Sequence, residues 1–267
     1  KRTGTAPPSA SLGYGAALTL PAGDGMARAG YTFGGWSLTP SGTAIAEHTV
    51  TGNVTLYAAW NIITYSEVPS TEELEDIIQQ NDEPVLQIGG NVTGTTLDNT
   101  LFEGLGDKTL TIDVVDDEGR VLYSWSFAGD YKEGAGTFKA DISKAVPDAD
   151  LENAIGSTNV GNPLVLNFAA SGELPINASV TYYVGDDYAD GTVLILFFYN
   201  EETKQLEDQG QDVTVTDGKV TFDLTHCSSY VLAEPSPEED DNTMLYIGIA
   251  AAAIAIIAVA AIVIRRR

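Results

Sequence analysis

The chain is poor in the residues from which most reactive and cross-linked sites are built. It holds one cysteine, Cys227, and two histidines, His48 and His226, in 267 residues. One thiol excludes an intramolecular disulfide, and this Cys/His set is too small for a structural zinc site. Basic residues are also scarce: 13 Lys and Arg stand against 38 Asp and Glu, a formal charge of -25. A chain without a basic face lacks the means to neutralise phosphates, so nucleic acid is excluded as a partner. Glycine-rich phosphate loops and the GxSxG nucleophile elbow are absent too. No signal peptide precedes the first strands, and the chain opens on Lys1 rather than Met, which reads as the C-terminal part of something longer.

What is present is a globular composition, 43% hydrophobic and 9% aromatic, sufficient for one or two packed domains. The acidity is not evenly spread. Residues 1–60 are close to neutral, and nearly all of the excess negative charge lies beyond Trp60. An acidic, hydrated surface repels anionic partners.

Residues 244–264, "MLYIGIAAAAIAIIAVAAIVI", carry no charge. As a helix they reach about 30 Å, the thickness of a bilayer's hydrocarbon core. The expectation is a single transmembrane helix. An acidic stalk at 235–243 precedes it, and "RRR" at 265–267 follows as a cytoplasmic tail, which places the N-terminal mass outside the cell. The bilayer is thus one expected partner, and protein or glycan ligands outside the cell are the others. The span resembles the tails of surface-anchored microbial proteins, with no LPxTG-type motif before it. Three sequons, at Asn53, Asn91 and Asn177, lie on the side placed outside and are glycosylation candidates.

Residues 1–60 read as short strands, "AALTLP", "GYTFGGWS" and "NVTLYAAW", separated by Gly, Pro and Ser turns. Taken together, "LGYGAALTLP", "RAGYTFGGWSLTPSGT" and "HTVTGNVTLYAAW" resemble one copy of the Listeria-Bacteroides repeat, also called the internalin B-repeat. The resemblance implies a small β-grasp-like module of surface proteins, without catalytic residues. In that family a strand precedes the "GTAPPS"-like segment, so the first strand is expected upstream of this sequence. The aromatics Tyr31, Phe33 and Trp36 then read as the small core of the module, with a ligand platform as the other reading.

After a linker at 61–69, residues 70–234 form a strand-rich, sandwich-like region, either one domain or two subdomains divided near 148–162. Ser70 and Glu73 form a capping box before "STEELEDIIQQ", whose Leu74, Ile77 and Ile78 make one apolar face. A second short helix is expected at 148–155. Nine strands follow from alternation, among them "KTLTIDVV", "RVLYSWSF", "PLVLNFAA", "ASVTYYV", "TVLILFFYN", "KVTFDLT" and "SYVLAE", joined by hairpin signals such as "DDEGR" and "TDGK". The predicted fold class is therefore mainly β: a repeat module, a strand-rich region with one or two short helices, and a single membrane helix.

Three features carry possible chemistry. His226 and Cys227 are neighbours, but adjacent residues on a strand point to opposite faces, which argues against a Cys-His pair. Asp186, Asp187 and Asp190 in "GDDYADG" are the sole metal candidate, for Ca²⁺, against the alternative of a solvated turn. The aromatic rows Tyr123, Trp125, Phe127 and Phe197, Tyr199 read either as core or as platforms for sugar rings. No catalytic set and no cofactor site emerges. The expectation is a non-enzymatic, membrane-anchored surface protein, adhesin-like or a stalk. The alternatives are the anchor region of a surface enzyme with an upstream catalytic domain, and a carbohydrate-binding module.

Overall fold

A computed structural model of the chain describes residues 6–132 and 136–236. The expected membrane helix at 244–264, its cytoplasmic tail and most of the acidic stalk lie outside the described residues. Among the described residues no helix is long and apolar enough to cross a membrane. Contacts divide the chain into two units, Lys1–Glu234 and Pro235–Arg267, and the first holds the short strand pairs, the helices and the large sheet.

The repeat module consists of two small antiparallel pairs. Strand β1 (Ala17–Leu18) pairs with β3 (His48–Thr49), and β2 (Tyr31–Ser37) pairs with β4 (Tyr57–Ile62). The β-grasp-like expectation has to be narrowed, because the described residues of the module contain no helix for a sheet to hold. The strand expected over 53–60 begins only at Tyr57 and runs on to Ile62. A bulge between Phe33 and Gly35 breaks the alternation of β2. It brings Trp36 edge-on to Phe33, with centroids 5.4 Å apart, and the Trp60 ring also stands edge-on to Phe33 at 5.8 Å. Trp36 is buried, and its indole N–H donates to the Pro21 carbonyl at 2.6 Å. The aromatic cluster is thus the module's core, apart from Tyr31, whose ring lies beneath the Arg28 guanidinium at 3.7 Å.

The segment read as a linker, 61–69, is stranded through its first half. Asn61 and Ile62 complete β4, and Thr64–Tyr65 form β5, which joins the large sheet. Helix α1 (Thr71–Gln80) follows, opened as the capping box requires, with the Ser70 hydroxyl accepting from the Glu73 N–H at 3.3 Å. Its Leu74, Ile77 and Ile78 are buried. The helix carries the chain back so that β6 (Val85–Gly89) runs parallel to β5, and β8 (Leu110–Val115) runs parallel to β6. Between them lie β7 (Thr96–Asp98) and the short helix α2 (Thr100–Glu103). Two parallel crossovers of this kind are absent from a sandwich built of hairpins.

From β8 onward the neighbours are antiparallel. The "DDEGR" turn leads to β9 (Val121–Phe127), with Asp116 accepting backbone bonds from Glu118 and Arg120. The chain continues through β10 (Thr137–Lys139), which pairs with β7, and β11 (Ile142–Lys144). Helix α3 (Ala149–Thr158) follows, capped by the Asp148 carboxylate on the Leu151 N–H. The strands expected at 163–170 and 178–184 are one strand, β12 (Val160–Tyr183). It pairs with β11 through its first half and with β9 through its second. Then come β13 (Val193–Asn200), β14 (Gln205–Thr214) and β15 (Lys219–Pro235). The sheet order is β14-β13-β15-β12-β9-β8-β6-β5, with β11 attached to β12, nine strands in all. Strands from both sides of the proposed divide near 148–162 lie in one sheet: β9 and β11, which precede it, pair with β12, which begins at Val160.

The sheet is covered on both faces. The main core packs Trp125 and Phe127 of β9 with Phe102, Phe138, Phe168 and Tyr230. A second cluster on the opposite face sets Leu151 and Ala154 of α3 against Val165, Phe197, Tyr199, Val231 and Ala233. This explains the run of consecutive buried residues at the end of β15, where alternation alone would leave every second side chain wet.

Candidate functional site

The structure does not bring the three candidate calcium ligands together. Asp186 and Asp187 sit on a short 3-10 turn, Gly185–Asp187. There Asp187 is ion-paired with Lys144 at 2.6 Å. Asp190 Oδ1 accepts the Gly218 N–H at 2.9 Å, tying this turn to the "TDGK" turn. Asp186 and Asp190 line a hollow of about 480 Å³ with Tyr183, Tyr188 and Asp217, which Asp187 does not join. Among the described residues no three acidic, His or Cys side chains are arranged to hold a metal ion.

Cys227 and His226 separate as alternation requires. Cys227 is buried in the main core, where loss of water pushes its thiol up to about 12, away from the thiolate that nucleophilic chemistry needs. His226 lies against Phe198 at 4.7 Å, and its Nδ1 is 2.9 Å from the Tyr230 hydroxyl. That hydroxyl also donates to the His226 carbonyl at 3.0 Å. The two aromatic rows divide between the two cores: Tyr123, Trp125 and Phe127 in the first, Phe197 and Tyr199 in the second, all buried. Neither row is open to a sugar ring. Asn53 and Asn91 are exposed outside the strands, whereas Asn177 is exposed on β12 with its carbonyl bonded to the Ala128 N–H.

The largest convergence of unlike groups lies where the repeat meets α1. Asn81, at the end of α1, is buried and makes three hydrogen bonds: it accepts from Arg28 Nε at 2.6 Å and donates to the Ala29 and Ile77 carbonyls. Gln80 accepts from the Ala29 N–H at 3.3 Å. At Gly30 a methyl group would stand 3.3 Å from Ile77 Cγ1, so the backbone of the repeat rests almost directly on the helix. This clasp leaves a groove of about 580 Å³ with Met26, Tyr31 and Phe33 on one side and Glu72, Glu73 and Asp76 on the other. The Tyr65 hydroxyl donates to Glu73 at 2.8 Å, and burial together with that carboxylate holds it above the ordinary tyrosine range. The groove therefore has an apolar wall, an anionic wall and one guanidinium stacked over an aromatic ring.

Sequence reading found the pieces of this groove separately. The "RAGYTF" motif and the capping box were both legible, but nothing local joined Arg28 to Asn81, 53 residues apart.

No curated protein and no solved structure matches the chain. Residues 2–59 match the model of the Listeria-Bacteroides repeat domain, a repeat typical of bacterial surface proteins.

Proposed function

We propose that the chain is a membrane-anchored cell-surface protein, adhesin-like or a stalk, that presents interaction modules outside the cell. The observation that carries this reading is the repeat at residues 2–59, held on the large domain by the Arg28–Asn81 clasp. The charge-free run at 244–264 with "RRR" behind it supports anchoring with the N-terminal side outward. The groove between the repeat and α1 supports a contact role, because its acidic wall and apolar wall suit a segment that carries lysine or arginine beside an apolar side chain.

The test is protease treatment of intact cells expressing the full chain. Trypsin should remove both the repeat and the sheet domain from the cell fraction while leaving a cytosolic marker intact. Full protection of both until the membrane is permeabilised would refute the topology.

A further inference from the structure

We propose that Asp24, at the tip of the turn before β2, is a site of spontaneous covalent modification: its carboxyl group closes on the Gly25 nitrogen and reopens as isoaspartate, which lengthens the main chain and loosens the aromatic core of the repeat. The chain holds three Asp-Gly pairs, Asp24–Gly25, Asp190–Gly191 and Asp217–Gly218. This is the dipeptide in which such a closure meets least hindrance, because glycine sets no side chain against the incoming carboxyl. As dipeptides the three are equivalent, and the fold separates them.

The two pairs in the sheet domain are locked, and they share a lock. Closure at Asp217 would start from the Gly218 nitrogen, but that N–H is given to Asp190 Oδ1 at 2.9 Å. The Gly218 carbonyl is held in turn by the Val184 and Gly185 N–H groups at 2.9 and 3.1 Å, and a methyl group on Gly218 would stand 3.2 Å from the Tyr183 ring. Asp190 is spent on that same bond, and the nitrogen its own closure needs, that of Gly191, donates to the Val215 carbonyl at 2.8 Å. A peptide nitrogen held in this way reaches the preceding carboxyl only after its bond opens.

Asp24–Gly25 has neither restraint. Both residues are exposed at the tip of a turn closed by the Met26 N–H on the Gly23 carbonyl at 3.0 Å, and among the described residues neither the Gly25 N–H nor the Asp24 carboxylate makes a hydrogen bond. Nothing stands within 4 Å of where a Gly25 side chain would begin. The reaction balances with water alone. The Gly25 nitrogen adds to Asp24 Cγ, its proton and the carboxyl hydroxyl leave as water, and a cyclic succinimide results. Water then opens the ring at the main-chain carbonyl, so the link to Gly25 runs through Cγ and the backbone gains an atom. The flanks are too well fixed to absorb that length. The Pro21 carbonyl holds the Trp36 indole at 2.6 Å, Gly23 packs so closely on Phe33 that a methyl group there would overlap the ring, and Asn81 and Gln80 hold Arg28 and Ala29. Met26 and Phe33 also line the groove against α1, so isomerisation reshapes one of its walls. Only the step from that reshaping to altered contacts rests on the function proposed above.

The test is to age the full chain in detergent for several weeks in warm, mildly acidic buffer, folded and in strong urea, and to locate isoaspartate by electron-transfer fragmentation of its peptides, since the mass does not change. In the folded chain Asp24 should convert about fivefold faster than Asp190 or Asp217, the factor that one net hydrogen bond supplies, and in urea the three rates should converge. Asp190→Ala frees the Gly218 N–H and should raise conversion at Asp217 by about the same factor, leaving Asp24 as it was. The aged chain should exchange amide hydrogens faster within residues 6–62 and no faster in the sheet, and Asp24→Glu, which closes the ring poorly, should show no such change on ageing. No isoaspartate at Asp24, equal conversion of all three pairs in the folded chain, or a lead for Asp24 that persists in urea would each overturn the proposal. Asp217 remaining slow in Asp190→Ala would overturn it too, by showing that the bonded N–H is not the lock. Isoaspartate at Asp24 with unchanged exchange in the repeat would overturn the loosening of its core.

Discussion

The repeat module and the sheet domain behind it are built from similar strands, yet they bury very different amounts of themselves. Among the described residues of the repeat, Trp36 and Ala59 are the only buried apolar side chains, and neither belongs to the two large core clusters. Of the seven large apolar side chains left exposed among the described residues, five are in the repeat: Leu12, Tyr14, Leu38, Val54 and Tyr57. The sheet domain exposes only Val146 and Val193 in the same class. A module of some sixty residues has too little interior to hide its apolar groups, whereas nine strands covered on both faces have ample room. Apolar surface that a fold cannot bury remains for a neighbour to cover. On the proposed reading the repeat makes the contacts and the sheet domain supports it, a division that substitutions in each region can break or sharpen.

The largest effect is expected in the support. Trp125 is fully buried, stacked on Phe127 at 5.5 Å, edge-on to Phe138 and Phe168, and its indole donates to the Ala140 carbonyl at 2.7 Å. Trp125→Ala should cost about 3–5 kcal/mol, the range for a truncated core aromatic, and should lower the main thermal transition. Trp36→Ala removes a ring of the same size from a core with few other members. Its loss should show as faster hydrogen exchange confined to residues 6–62, with the sheet's protection unchanged. Equal loss of protection in both regions from Trp36→Ala would mean that the two halves fold as one cooperative unit.

Alkaline titration should also act first on the sheet. Burial raises the Cys227 thiol from an ordinary 9.0 to about 12, and the Tyr123 and Tyr188 hydroxyls from 10.0 to about 12. The folded state keeps these protons where the unfolded chain releases them. Stability is thus whole below pH 9 and falls as pH rises from about 9 toward 12. Cys227→Ala should move the start of that decline about one pH unit higher, to the range where the tyrosines ionise. An unchanged onset would show that the thiol contributes nothing to it.

The joint between the halves should give an intermediate effect. Asn81→Ala deprives Arg28 Nε and the Ala29 carbonyl of their partner at a buried position, at a cost of about 1–3 kcal/mol. Its signature should be uncoupling: the repeat should melt or exchange independently while the sheet keeps its own transition. If both transitions fall together, the clasp is part of the sheet's core rather than a joint.

The parts of this architecture that sequence alone revealed share one property, that the signal is local. Ser70 with Glu73, the apolar face of α1, the short helix expected at 148–155 and the "DDEGR" turn each involve residues within one or two turns of each other. The parallel neighbours β5, β6 and β8 left no such mark, because a parallel pair is separated by a whole crossover and its register is set by tertiary packing. The merging of two expected strands into β12 was hidden for a similar reason. "SGELP" has a turn's composition, but β11, β9 and β15 pair along the strand on both sides of it, as the contacts Asn167–Ser229 and Thr181–Thr221 show for β15.

The smallest effect is expected where the sequence most invited a metal. Lys144 and Asp187 form an ion pair at 2.6 Å with both side chains open to solvent, 59% and 50% exposed. Such pairs contribute about 0–1 kcal/mol, since water screens the attraction and two flexible side chains must be ordered to make it. Lys144→Met should therefore move Tm by no more than about 2 °C. The same variant removes the cation that neutralises Asp187, leaving Asp186, Asp187 and Asp190 with the best chance of binding Ca²⁺ that the sequence allows them. Asp190 is still committed to the Gly218 N–H, and Asp187 still stands outside the hollow that the other two line. Added Ca²⁺ should then leave the Tm of both parent and variant where it was. A calcium-dependent rise in the parent would reinstate the triad as a site, while a rise in the variant alone would show that Lys144 is what keeps the turn free of metal.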